Sequence, residues 1–84
     1  MGYTTIIWDL DDDPEGNVQH IAEHDLTKEE VEDVLAKPEG RSTSRSSGLP
    51  LVFGTTSTGR FIVVVFQEID ADMAKPVTAY DIEE

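Results

Sequence analysis

The spacing of apolar positions changes along the chain, and each change marks a change of backbone. Tyr3 to Trp8 runs Tyr-Thr-Thr-Ile-Ile-Trp, residue types that fit a pleated, half-buried surface, and it predicts a strand. Asp9 to Asp13 places four acids in five positions and ends that strand. The period then lengthens: Val18, Ile21, Ala22 and Leu26 fall at i, i+3, i+4 and i+8, one narrow helical stripe. Asp13-Pro14 reads as the helix start, with the acid at the N-cap and proline in the first turn. Gly16 weakens that turn by about 1 kcal/mol relative to alanine, which moves the start toward Asn17. Thr27-Lys28-Glu29-Glu30 is a capping box that opens a second helix. That helix buries Val31, Val34 and Leu35, exposes Glu29, Glu32 and Asp33, and stops at Lys37-Pro38-Glu39-Gly40.

Beyond Gly40 the period becomes two. Arg41 to Ser46 is polar and serine-rich, a loop or an edge strand with Arg41, Thr43 and Arg45 on one side. Leu51 to Thr56 is a strand, and Ser57-Thr58-Gly59 a tight connection into Arg60–Glu68. The unbroken Phe-Ile-Val-Val-Val-Phe run of that segment predicts a central strand covered on both faces. Ile69 to Lys75 reads as an acidic loop and Val77 to Ile82 as the last strand. The expected fold is α+β over residues 1–84 as a single domain. It has an N-terminal strand, two short helices, and a three- to four-stranded antiparallel meander with the helices packed on the sheet.

Composition narrows the chemistry. Of 84 residues 38% are hydrophobic, enough for one modest core, and no cysteine is present, which excludes disulfides and thiolate sites. The longest apolar run, Phe61 to Phe66, is too short to span a bilayer, and no secretory leader precedes Trp8, so a cytoplasmic protein away from membranes is expected. The net charge of −12 opposes non-specific binding to nucleic acid, which needs an excess of Lys and Arg. The charge is uneven: residues 40–67 carry Arg41, Arg45 and Arg60 and no acid, a small cationic stretch in an anionic chain.

Several motifs invite chemistry. His20-Ile21-Ala22-Glu23-His24 spells H-x-x-E-H, with two histidines one helical turn apart. The zinc enzymes with that motif need a further carboxylate ligand and a large cleft, which 84 residues cannot enclose, so no metal is expected. Asp11 to Gly16 has the start of a calcium loop but Ala22 at the twelfth position, where a bidentate glutamate belongs. Solvated acids near a helix N-terminus explain the run better. Arg60 opens the most hydrophobic strand on the side of Ile62, Val64 and Phe66, and alternation groups Thr78, Tyr80 and Ile82. An arginine and a tyrosine at the margins of one sheet would hold a phosphate and move a proton. The plainer account is a strand-end cation after a glycine turn and a β-forming tyrosine with its hydroxyl in water.

Taken in order, several segments resemble the BrnT toxins of bacterial type II toxin–antitoxin pairs, ribonucleases similar to RelE in fold. The carriers are Trp8-Asp9, His20 to Thr27, Glu29 to Leu35, Gly59 to Phe66 and Pro76 to Asp81, spread over nearly the whole chain. Matched position by position, His24 stands at the histidine before the second helix and Arg60 at the arginine opening the central strand. Glu23 and Asp25 stand where a lysine and a glycine are usual, Tyr80 stands where an arginine is usual, and no basic C-terminal helix follows Glu84. The chain thus resembles an acidic, C-terminally short relative. The resemblance implies metal-independent, cofactor-free RNA cleavage by attack of a 2′-hydroxyl. Arg60, helped by Arg41 or Arg45, would stabilise the phosphate oxyanion, and Tyr80 or His24 would move the proton. It also implies a cognate antitoxin as partner and ribosome-associated RNA as target. The alternative expectation is a non-catalytic module on the same fold, whose acidic surface or sheet edge holds a basic protein.

Overall fold

The computed structural model describes residues 2–82. In chain order these form β1 (Thr5–Ile6), α1 (Asn17–Glu23), α2 (Lys28–Ala36), β2 (Gly40–Thr43), β3 (Pro50–Thr55), β4 (Phe61–Asp70) and β5 (Met73–Asp81). The five strands make one mixed sheet in the order β1-β5-β4-β3-β2. Strands β2 to β5 are antiparallel neighbours, and β1 adds a short parallel edge through Thr5 opposite Met73 and Ile6 opposite Ala74. The chain is therefore an α+β domain with two helices and a five-stranded sheet.

One layer of side chains joins helices to sheet. Ile21, Leu26, Val31, Val34 and Leu35 from the helical half pack with Val52, Ile62, Val64, Phe66, Ala74 and Ala79. Tyr3 completes the cluster, its ring edge-on to Phe66 with centroids 5.0 Å apart. Each fully buried Val, Leu, Ile or Phe here is worth about 1.5–3 kcal/mol relative to exposure.

Helix α2 forms where the capping box places it. The Thr27 hydroxyl accepts from the Glu30 N–H at 3.2 Å, and Glu30 Oε1 accepts from the Thr27 N–H at 3.1 Å. Helix α1 starts at Asn17, where the weak turn at Gly16 moves it, but Asp13 is not its N-cap. Its N-cap is Gly16, with no side-chain cap of its own. Asp13 instead accepts the Glu15 N–H within the preceding turn, while Asp9 Oδ2 accepts the Asn17 N–H at 3.0 Å from eight residues upstream. Asn17 is buried and also donates to the carbonyls of Ile7 and Pro76, at 3.1 and 2.9 Å. One amide side chain thus anchors α1 to β5 and to the segment after β1. Of the expected stripe, Ile21 and Leu26 are buried, Val18 is half-buried and Ala22 is exposed.

Two further expectations need correction. The N-terminal strand is confined to Thr5–Ile6 and runs parallel to β5, because Tyr3 turns inward and gives its N–H to the Leu35 carbonyl at 2.8 Å. Residues 69–75 are not a loop: β4 continues to Asp70 and β5 begins at Met73, with strand pairing that absorbs irregularities at Val65/Phe66 and Glu68/Asp70. The central strand β4 is buried on both faces from Ile62 to Phe66, as its apolar run predicts, although the helices cover only one of them. Val63 and Val65 lie on the side away from the helices and are still only 6% and 5% exposed. Neighbouring strands shade them: Gly40, Phe53, Val63 and Tyr80 form one cross-strand row, and Ser42, Leu51, Val65 and Thr78 the next. Among the described residues, no helix is long and apolar enough to cross a membrane.

Candidate functional site

Three of the five residues expected to act on RNA lie near the corner where β4 begins. Arg60 is bonded to Asp25 and Asp81, and their neighbours His24 and Tyr80 are paired with each other, Tyr80 on the opposite sheet face from Asp81. The turn between β3 and β4 closes through the Thr56 N–H to the Arg60 carbonyl at 2.7 Å, with Gly59 at φ 90. This delivers the Arg60 side chain beneath the helices. At the start of the helical half, α1 ends at His24, and Asp25 takes φ 63, a left-handed conformation that aspartate tolerates better than most residues. The Asp25 carbonyl thereby accepts from Arg60 Nη1 at 2.6 Å. His24 sits with its ring centroid 6.4 Å from that of Tyr80, at the margin of β5 where the strand runs past β1.

Arg60 does not present a free cation. Its Nη2 meets both carboxylate oxygens of Asp81, at 2.7 and 2.6 Å, and its Nη1 lies 3.4 and 3.5 Å from those of Glu30. The hydrogen bonds to Asp81 hold the guanidinium still more firmly protonated, and the nearby charges of Asp81, Glu30 and Asp25 add to this. Glu30 is the pivot. Burial by itself would raise its carboxyl, but hydrogen bonds from Thr58 and Thr27 and the charge of Arg60 outweigh that and bring it below the ordinary glutamate value. Glu30 Oε2 accepts from the Thr58 hydroxyl at 2.8 Å, so the capping residue of α2 also ties down the β3–β4 turn.

The other two expected residues lie elsewhere. Arg41 pairs with Glu68 at 3.2 Å and stands 6.0 Å from the centre of the Phe66 ring. Glu68, which also accepts from the Tyr3 hydroxyl, is eight residues from Arg60 on β4, a separation of about 26 Å in an extended strand. The Glu68 carboxyl is held below its usual range by the Tyr3 and Arg41 hydrogen bonds. Arg45 is exposed in the β2–β3 connection, with no ion pair among the described residues. The phosphate-binding cluster expected of Arg41, Arg45 and Arg60 is therefore not assembled. Two of its members are neutralised by carboxylates brought from the acid-rich flanks of the sequence.

Sequence reasoning missed those counter-ions. Glu30 was legible only as a capping residue, and Asp81 and Glu68 not at all. A signal did exist: cations confined to an acid-free stretch must find their partners in the flanks. The ion pairs engage Asp9, Asp11, Glu30, Glu68 and Asp81, so most of the described carboxylates face no cation. His20 and His24 lie side by side with centroids 5.8 Å apart, and no group of three or more potential metal ligands occurs among the described residues. No protein-family model, curated protein or solved structure matches the chain.

Proposed function

We propose that this chain is an acidic interaction module, resembling the BrnT toxins in arrangement, that binds a basic protein partner and does not cleave RNA. The observation that carries the reading is the neutralised Arg60. To stabilise a phosphate, the guanidinium would have to leave Asp81 and Glu30, and the incoming anion would meet both carboxylates at close range. The unpaired acids make the opposite partner favourable, since a cationic surface gains from each of them without breaking a bond. The resemblance itself is supported by Asp25: the position where the family usually has glycine takes the left-handed conformation that glycine prefers. The test is titration calorimetry of the intact chain at low and moderate salt, with a lysine-rich peptide and with single-stranded RNA. Binding of the peptide that weakens as salt rises, with RNA neither bound nor cut, is the expected result. Metal-free RNA cleavage that Arg60→Ala abolishes in a folded protein would overturn it.

A second reading keeps the nuclease: the His24 and Tyr80 ring centroids are 6.4 Å apart, and Arg60 bonds their chain neighbours Asp25 and Asp81. It requires substrate to displace Asp81, and it predicts that Asp81→Asn raises RNA cleavage. Unchanged, negligible cleavage by that variant would remove it.

A further inference from the structure

The sheet has two unlike faces. On the helix side, the margins of β2, β4 and β5 carry Arg41, Glu68 and Asp81. On the other side, the two cross-strand rows through Val63 and Val65, together with Thr55 opposite Phe61, carry no charged side chain at all. Lys75 enters only in the following row, opposite Gln67, and is paired with Asp9. In a chain with six basic and eighteen acidic residues, an uncharged patch of this extent is the one part of the sheet that needs no counter-ion when water leaves it.

The patch is also flat and preformed. A Cβ on Gly40 would lie 2.2 Å from Phe53 Cζ, so the absence of a side chain lets the Phe53 ring lie across β2. Phe53 then meets Phe61 edge-on at 5.9 Å. Phe61 and Tyr80 remain 38% and 40% exposed beside the shaded valines. Large aromatics left in water around a closed apolar floor are what binding anchors look like.

We propose that this face seats one amphipathic, lysine- or arginine-rich helix of about three turns, supplied by a protein partner. The inference rests on the interaction-module reading and names its docking surface. Size argues for a single helix. Four strands span about 14 Å across, and Phe61 to Val65 about 13 Å along, before side-chain reach is added. A helix about 10 Å wide and about 16 Å long covers that footprint. A second copy of this chain would need about 800 Å² on each side for a standard interface, which the patch does not offer, and would bring its own −12 charge. A basic helix is complementary instead. Its apolar stripe meets the uncharged floor, while its cations gain from the −12 charge of the chain around that floor.

The test uses the intact chain and two synthetic peptides of identical leucine and lysine content. One has leucines at i, i+3, i+4 and i+7, and the other has them scrambled so that no stripe forms. The striped peptide should bind about tenfold more tightly than the scrambled one, with amide shifts centred on Phe53, Val63 and Val65 in NMR spectra. Thr78→Asp and Phe61→Ser should each erase that preference while the protein stays folded by circular dichroism. The first variant is decisive, because it adds an acid: attraction by charge alone would leave binding equal or stronger. Equal binding of the two peptides overturns the docking surface and leaves the acidic module standing. Binding of neither overturns both. A concentration-dependent dimer that protects Phe61 and Tyr80 assigns the face to a second copy and overturns the proposal.

Discussion

Arg60 and Asp81 meet through a single guanidinium nitrogen that lies 2.7 and 2.6 Å from the two carboxylate oxygens, joining the first residue before β4 to the last residue of β5. The same guanidinium reaches Glu30 on α2 and the Asp25 carbonyl after α1. One side chain therefore fastens both helices to the sheet. The cation that the sequence offers as a phosphate ligand is used as a structural clamp.

Replacing that clamp has a definite sign. Arg60→Ala leaves Glu30 buried with only its hydroxyl and N–H donors, so the thermal midpoint should fall, and Arg60→Lys should recover part of the loss because lysine cannot reproduce the forked geometry. Melting curves of the two variants check this. A midpoint unchanged by Arg60→Ala would show that the clamp contributes nothing.

The α2 cap can be tested alone. Thr27→Ala removes the acceptor for the Glu30 N–H and should cost about 1 kcal/mol, or about 4–8 °C in a domain of this length, while Thr27→Ser should cost much less. Denaturant titration of both variants measures the difference.

Acid sensitivity follows from the carboxylates held below their ordinary values. Hydrogen bonds from Ser57 lower Asp33; those from Tyr3 and Arg41 lower Glu68; the Asn17 N–H lowers Asp9; and Glu30 is lowered against the effect of its burial. A carboxyl that is more acidic when folded lends stability that is complete above the unfolded values of 3.8 for Asp and 4.5 for Glu, and that is lost as pH falls through the folded values. The denaturation midpoint should therefore decline on acidification below about pH 4.5, and Glu68→Gln should flatten the decline.

Salt should act in the opposite sense to its usual effect on ion-paired proteins. Five ion pairs among the described residues stand against a net charge of −12, so screening relieves more repulsion than it costs attraction. Thermal midpoints at neutral pH should rise between low and moderate sodium chloride. A fall would mean that the ion pairs dominate.

Gly40 separates stability from binding. In Gly40→Ala the added methyl group displaces the Phe53 ring, while the strand backbone gains about 0.5–1 kcal/mol in propensity, so stability should change little. Striped-peptide binding should weaken, as measured by the same titration that compares the two leucine–lysine peptides.

The α+β architecture was legible because its signals are local. Thr27 and Glu30 are three residues apart, the period of the helix around Val31, Val34 and Leu35 is 3.6, and the apolar run from Phe61 makes a central strand. The cap of α1 was not legible, since the group that receives its first N–H is Asp9, eight residues away across a turn. What covers the far side of β4 was equally hidden: Phe53 and Tyr80 shade Val63 from strands whose register depends on pairing, so the run of apolar residues looked the same as one packed under helices.

Sequence by itself determined the two helices and the central strand, the single core, the excess of negative charge and the confinement of Arg41, Arg45 and Arg60 to an acid-free stretch, because these depend on composition and short-range spacing. Tertiary structure alone decided that Glu30 and Asp81 close on Arg60, that Glu68 takes Arg41 at a site about 26 Å along the strand from Arg60, and that an uncharged face is left opposite the helices. The reason is that electrostatic and packing partners are chosen by distance in space, and the folded sheet brings together side chains from 21 to 65 positions apart that no local pattern connects.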